Sequence, residues 1–188
     1  MKRLGARNQV RITGGAWRGR LLRFSGPVRP TMEALRQTLF NWIGQDLLGK
    51  SCLDLFAGSG ALGFEAASRR ARQVVLVEKD EKAARALMEN RQALGAAGVS
   101  IARKDAGSFL GETQEIFDVI FADPPYGSSL GEDFFSRAAC CLREGGFFYL
   151  ETPKAVALPP GFVLFRQKRL GAALAQLYRR EGECRKLA

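Results

Sequence analysis

The chain has 188 residues, 46% of them hydrophobic, a formal net charge of +10 and no histidine. That length fits one domain able to bury roughly 70% of its unfolded surface without a disulfide or metal staple, and the missing histidine excludes a Cys/His zinc site and most hydrolase triads. No apolar run reaches the ~20 residues of a membrane span, no apolar stretch follows the basic start as in a signal peptide, and four cysteines without C-x-x-C spacing read as reduced thiols of a cytoplasmic protein.

Charge is unevenly spread. Residues 1–36 carry nine Lys/Arg against one acid, residues 37–153 twelve against sixteen, and residues 154–188 eight against two. Basic ends around a mildly acidic middle suggest a face for a polyanion, nucleic acid above all.

In chain order, 1–8 form a polar basic arm. Residues 9–13 and 17–24 read as two strands around the Gly14-Gly15 turn, a hairpin bearing Arg11, Arg18, Arg20 and Arg23. Breaks at Gly26-Pro27 and Arg29-Pro30 precede Thr31 as N-cap of an amphipathic helix over 32–48, closed by Gly49. Strands then alternate with helices: strands at 51–56, 73–78, 99–103, 117–122 and 146–151, helices at 60–70, 80–95, 106–112 and 130–143. Near-continuous apolar strands separated by helices predict a mostly parallel α/β sheet covered on both faces. The last two runs, 162–168 and 173–180, meet at Gly171 with no helix between them and predict an antiparallel hairpin at one sheet edge. The domain division expected is a basic hairpin extension over 1–30 and a catalytic domain over 31–188.

Gly58, Gly60 and Gly63 give G-x-G-x-x-G after a strand, the spacing of a tight turn that brings backbone N–H groups to a ligand at a helix N-terminus. The spacing alone admits many nucleotides. Asp54, four residues before Gly58, stands where dinucleotide-binding strands are apolar and suits a cationic group such as an amino acid ammonium. Glu78 ends the next strand, where an acid accepts hydrogen bonds from ribose hydroxyls. Asp105 follows the third strand, within reach of an adenine amino group. Together they point to S-adenosylmethionine. The competing reading makes Asp54 a local backbone cap, Glu78 a solvated strand end and Asp105 an N-cap.

Asp123-Pro124-Pro125-Tyr126 follows the fourth strand of that series. Two prolines fix the turn and remove two N–H donors, leaving carbonyls as acceptors. Asp123 and the Pro124 carbonyl suit the two hydrogens of an exocyclic amine, and Tyr126 suits stacking on its base. Such a turn works by positioning and electrostatics and needs no strong base.

With these motifs on the page, the sequence resembles the amino-methyltransferases of the class I S-adenosylmethionine-dependent fold. The stretches Arg11-Ile-Thr-Gly-Gly-Ala-Trp-Arg-Gly-Arg20, Arg29-Pro-Thr31 and Leu39-Phe-Asn-Trp42 resemble more narrowly the bacterial 16S rRNA guanine-N2-methyltransferase family of RsmD type. The resemblance runs in order over about residues 9–150 and departs at Met32-Glu33, where a Thr-Asp-like pair is expected. It implies a Rossmann-like, seven-stranded fold and cofactor contacts from Asp54, Phe56, Gly58, Gly60, Glu78, Lys79, Asp105, Ala106 and Asp123. It also implies amine and base contacts from Asp123, Pro124, Pro125 and Tyr126, with no metal.

On that reading Arg11, Arg18, Arg20, Arg23, Arg29 and Thr31 face the RNA, or Arg29 and Thr31 close over the cofactor. Trp17 either stacks on a base or packs under the hairpin. The expected enzyme is a cytoplasmic monomer that methylates the exocyclic N2 of a guanine in 16S rRNA, free or in a small-subunit assembly particle. Competing readings are a DNA amino-methyltransferase acting on adenine or cytosine, and a non-catalytic RNA-binding module on the same fold.

Overall fold

A computed structural model describes residues 8–24, 30–125, 127–128, 130–156 and 158–182, without the side chains of 8 and 30–32. Two strands, β1 (Asn8–Arg11) and β2 (Leu21–Phe24), form an antiparallel ribbon. Then follow α1 (Pro30–Ile43), β3 (Ser51–Asp54), α2 (Ala61–Ser68), β4 (Gln73–Val77), α3 (Glu81–Leu94), β5 (Val99–Ala102), α4 (Ala106–Glu112), β6 (Phe117–Ala122), α5 (Glu132–Cys141), β7 (Leu142–Thr152), β8 (Phe162–Leu170) and β9 (Ala173–Arg180). The main sheet has seven strands in the order β5-β4-β3-β6-β7-β9-β8. The first five are parallel; β9 runs antiparallel between β7 and β8.

Period-two alternation divides the apolar strand residues between two cores. Cys52, Val74, Leu76, Val119, Phe121 and Tyr149 point to the side packed by Leu35, Leu39 and Phe40 of α1, Phe64 of α2 and Leu87 of α3. Leu53, Val75, Val77, Ile120, Phe148 and Leu150 point to the side packed by Leu110 of α4 and Phe135 and Ala138 of α5. A strand buried on both faces cannot alternate apolar with polar, which is why these segments read as continuous apolar runs.

Several boundaries differ from expectation: α1 begins at Pro30, which puts Thr31 inside the helix rather than at its N-cap, β3 ends at Asp54 rather than at 56, and α5 gives way to β7 at Leu142, where helix was expected to run to 143 and strand to begin at 146. Helix α1 stops at Ile43, because Gly44 takes φ +103° and turns the chain five residues before Gly49. The second ribbon strand begins at Leu21 rather than at 17, because residues 14–19 fold as turns in which Arg18 N–H bonds Gly15 O and Gly19 N–H bonds Ile12 O.

The cysteines also divide. Cys52 and Cys141 are buried free thiols, whereas Cys140 is disulfide-bonded, correcting the expectation that all four are reduced. No helix among the described residues is long and apolar enough to cross a membrane.

The ribbon is seated on the main body by polar contacts around α2. Glu65 is fully buried and accepts from Thr13 N–H and Thr13 Oγ1, both at 2.8 Å, and from the Arg69 guanidinium at 2.8 and 3.1 Å. Arg36 of α1 lies 3.4 Å from the same carboxylate and donates to Arg11 O at 2.6 Å. Burial holds the Arg36 guanidinium below its ordinary pKa, the nearby Glu65 opposing that shift. Ser68 Oγ donates to Gly14 O and accepts from Trp17 N–H. Gly15 (φ +75°) has no alternative residue here: a Cβ on it would lie 1.9 Å from Ser68 O. Val10, Ile12 and Leu22 of the ribbon join the α1-side core, and half-buried Trp17 packs against it.

Candidate active site

The strand order reverses direction between β3 and β6, and in open parallel sheets ligands bind beyond the carboxyl ends of the strands at such a point. A cavity of about 720 Å³ opens there. Four carboxylates reach it, one from the end of each of four neighbouring strands: Asp54 from β3, Glu78 from β4, Asp105 from β5 and Asp123 from β6. Residues up to 69 apart in sequence are brought together by topology alone.

Each acid has a distinct setting. Asp54 is fully buried; its Oδ2 accepts from Gly63 N–H at 3.2 Å, and its Oδ1 has no hydrogen-bond partner among the described residues. Burial pushes its pKa up to about 7, against the pull of the Gly63 and Phe56 N–H groups. The local-cap role and a ligand role therefore coexist in one side chain: one oxygen holds α2, and the other is a buried acceptor with nothing to accept. Such an atom at the edge of a cavity fits a cationic donor.

Glu78 takes Gly58 N–H on Oε2 and Asp80 N–H on Oε1, so it braces the glycine turn against the start of α3. Asp105 caps α4 through Gly107 and Ser108 N–H. Asp123 lies next to Pro124 and Pro125 on the rim, and its charge helps raise the pKa of Tyr149, behind burial and the neighbouring Glu151.

The glycine turn is shaped by two separate demands. At Gly58 (φ +50°) a would-be Cβ meets no more than an ordinary contact with Phe56 O at 3.9 Å, so its backbone conformation alone selects glycine. Gly60 (φ +77°) adds a steric reason: a Cβ would sit 2.6 Å from the Phe64 ring and 2.7 Å from Leu87.

Phe56, Gly58, Lys79, Ala106, Pro124 and Pro125 also line the cavity. Every candidate from the central motifs that the structure describes, except Gly60 behind the turn, therefore faces one space. Tyr126 and Arg29 lie outside the described residues, as does the side chain of Thr31. The exposed arginines of the ribbon do not reach the cavity. Arg20 donates to Ala93 O at the end of α3, and Arg11 to Gly19 O within the ribbon. Arg18 and Arg23 are exposed on the same ribbon.

Several lining residues escaped the motif reading. Phe24, the last residue of β2, carries the ribbon into the cavity wall, and Phe134 of α5 stacks toward Phe56 at 6.0 Å. Lys104 adds a cation at the mouth. A lone aromatic at a strand end carries no sequence signal of a pocket, because its placement depends on long-range docking. Here that docking is done by Asn90, which accepts from Arg23 N–H and donates to Arg23 O.

The family model described as conserved hypothetical protein 95 matches residues 10–179. Ribosomal RNA small subunit methyltransferase D of Escherichia coli is 36% identical over 93% of this chain and 92% of that protein. The protein of the same name from Haemophilus influenzae is 37% identical over 92% of this chain and 95% of its own length. The solved structure described as putative methyltransferase yhhF from Escherichia coli superposes with a TM-score of 0.87 at 36% identity, covering 94% of this chain and all of that one.

Proposed function

The chain belongs to the family described as conserved hypothetical protein 95, and from that premise we propose that it methylates the exocyclic N2 amine of a guanine in 16S rRNA, with S-adenosylmethionine as donor. The observation that carries this reading is the convergence of Asp54, Glu78, Asp105 and Asp123 on one cavity. Three of these acids suit the three polar parts of the donor, and the fourth begins an acceptor-lined turn.

S-adenosylmethionine supplies an electrophilic methyl group on a sulfonium sulfur. In this reading the unpartnered Asp54 Oδ1 takes its ammonium, Glu78 its ribose hydroxyls and Asp105 its adenine amine. Gly58, Phe56, Lys79 and Ala106 complete the wall. Asp123 and the Pro124 carbonyl each accept one N–H of the guanine amine. That draws the nitrogen lone pair out of the base and fixes its direction, a gain in orientation rather than in basicity. Proton loss follows to water or through Asp123. Phe24, Phe56 and Phe134 keep the reacting region poor in water, which strengthens these contacts.

The target base enters unpaired or flipped, since the amine must reach a closed pocket. Arg11, Arg18, Arg20, Arg23, Arg29 and Thr31 supply the RNA-facing side of the 1–30 extension and the start of α1. Small-subunit assembly particles are the natural substrate if proteins help to present that guanine. Incubation with methyl-labelled donor and either 16S rRNA or duplex DNA tests the reading. Label in rRNA alone is expected; label in DNA alone would replace it with the DNA amino-methyltransferase.

A further inference from the structure

The strongest feature that the cavity does not use lies at the other end of the sheet. Among the described residues strand β8 is an edge strand, paired only with β9, and its residues 163–169 are all exposed. Three of them in a row are large and apolar: Val163 (46% exposed), Leu164 (45%) and Phe165 (40%). The pairing register shifts between Leu164 and Arg166, so Phe165 is the extra residue of a bulge.

Register assigns the faces. Arg166 pairs with Leu177 and Lys168 with Ala175, whose side chains belong to the α1-side core, so Arg166 and Lys168 lie on that face. Phe165 is on it too, with its ring 5.4 Å from that of Phe147, and the Arg166 guanidinium sits 4.9 Å over the Phe165 ring. Lys168 reaches Thr38 of α1. Because β8 runs parallel to β7, Lys168 lies nearer than Phe165 to the cavity end of the sheet.

An exposed aromatic carrying a guanidinium, followed by an ammonium along one strand, is the chemistry of a base-stacking platform with backbone cations. Isolated edge-strand cations protect against edge pairing, but that need does not explain an aromatic that a bulge sets on the same face, beneath one of them. The C-terminal 154–188 segment is also strongly basic, with eight Lys/Arg and two acids, matching a polyanion rather than a second apolar edge.

We propose that the α1-side face of β8, built on Phe165, Arg166 and Lys168, is a second RNA-docking strip that holds an unpaired rRNA segment leading to the active-site rim. The proposal rests on the rRNA reading above and adds where the polymer runs. Phe165 stacks on a base, and Arg166 and Lys168 contact phosphates.

The test uses the full chain with Phe165→Ala, and separately Arg166→Ala combined with Lys168→Ala, in filter binding to 16S rRNA across a salt series. Each variant is expected to weaken binding tenfold or more, with affinity for S-adenosylmethionine by calorimetry unchanged within twofold. Loss of two phosphate contacts should lower the slope of log K against log salt by roughly 1.4, at about 0.7 per phosphate on a single strand. Phe165→Trp should retain binding, which separates stacking from folding. A photo-crosslinking residue at 165 should capture rRNA. Unchanged affinity and slope, or self-association as the sole effect, would overturn the strip, as would a crosslink only to protein. A wild-type chain that binds rRNA without transferring methyl groups would refute the enzyme reading, while the binding arm would still judge the strip.

Discussion

Glu78 Oε2, at the end of β4, accepts a hydrogen bond from Gly58 N–H at 2.9 Å, across twenty residues of sequence. Its other oxygen takes Asp80 N–H at 2.8 Å. One carboxylate therefore sets the shape of the glycine turn and the start of α3, whose own N-cap is Asp80 bonding Ala83 N–H. The glycine turn is thus fixed by protein contacts alone, so a ligand bound against it would leave little to order.

Glu78→Ala removes both braces and, on the proposed reading, the ribose acceptor. Hydrogen bonds to a charged group contribute about 1.5–3 kcal/mol, so affinity for S-adenosylmethionine should fall tenfold or more by calorimetry. Glu78→Gln, which keeps one acceptor oxygen, should fall less. Equal losses in both variants would mean that the charge rather than the geometry matters.

Asp54 predicts two pH dependences. Its folded pKa, about 7, lies above the ordinary 3.8, so between those values the folded chain holds a proton that the unfolded chain has released. Its contribution to stability is therefore largest below pH 4 and declines as pH rises toward 7. Binding of an ammonium favours the ionised form, so donor affinity should rise from pH 6 to 7.5 with proton release. Calorimetry in buffers of different ionisation enthalpy reads that release. Asp54→Asn should abolish it and flatten the affinity profile; a persisting proton release would assign the titration elsewhere.

Glu65 is the one acid that Arg36, Arg69 and Thr13 share in the buried contact between ribbon and body. Glu65→Ala leaves two buried guanidinium groups without it. Removing one partner from a buried ion pair costs about 3–5 kcal/mol, which urea denaturation should report as a lower midpoint. A loss under 1 kcal/mol would mean that the ribbon is held chiefly by Val10, Ile12 and Leu22.

Gly15 and Gly19 separate backbone strain from steric conflict. Both have positive φ, but a Cβ on Gly19 meets nothing within 4 Å, whereas one on Gly15 strikes Ser68 O. Gly19→Ala should cost the left-handed strain alone, about 1–2 kcal/mol, and Gly15→Ala distinctly more. Thermal unfolding of the pair checks the order.

Most of the parallel core could be read from sequence, because strands such as Leu53, Val75 and Ile120 are buried on both faces and stand out as apolar runs between helices. The four carboxylates could be placed because each ends one of those strands. What could not be read depended on contacts across long sequence distances. Thr13-Gly14-Gly15 reads locally as a turn, and only the approach of Ser68 and Glu65 shows it to be an anchor. Phe24 enters the cavity wall only because Asn90 fixes β2. The early end of α1 reflects Gly44, a glycine within an otherwise helical pattern whose positive φ no periodicity reveals. The Phe165 bulge is likewise a matter of register with β9.

The central claim concerns one atom, the guanine N2, and one turn, Asp123-Pro124-Pro125. Small-subunit rRNA from a strain lacking this activity, treated with the purified chain and S-adenosylmethionine and digested to nucleosides for mass spectrometry, tests it most directly. One N2-methylguanosine per rRNA is expected, falling at least a hundredfold in rate at saturating donor with Asp123→Ala. Methyl groups on adenine or cytosine, or near wild-type methylation by Asp123→Ala, would contradict it.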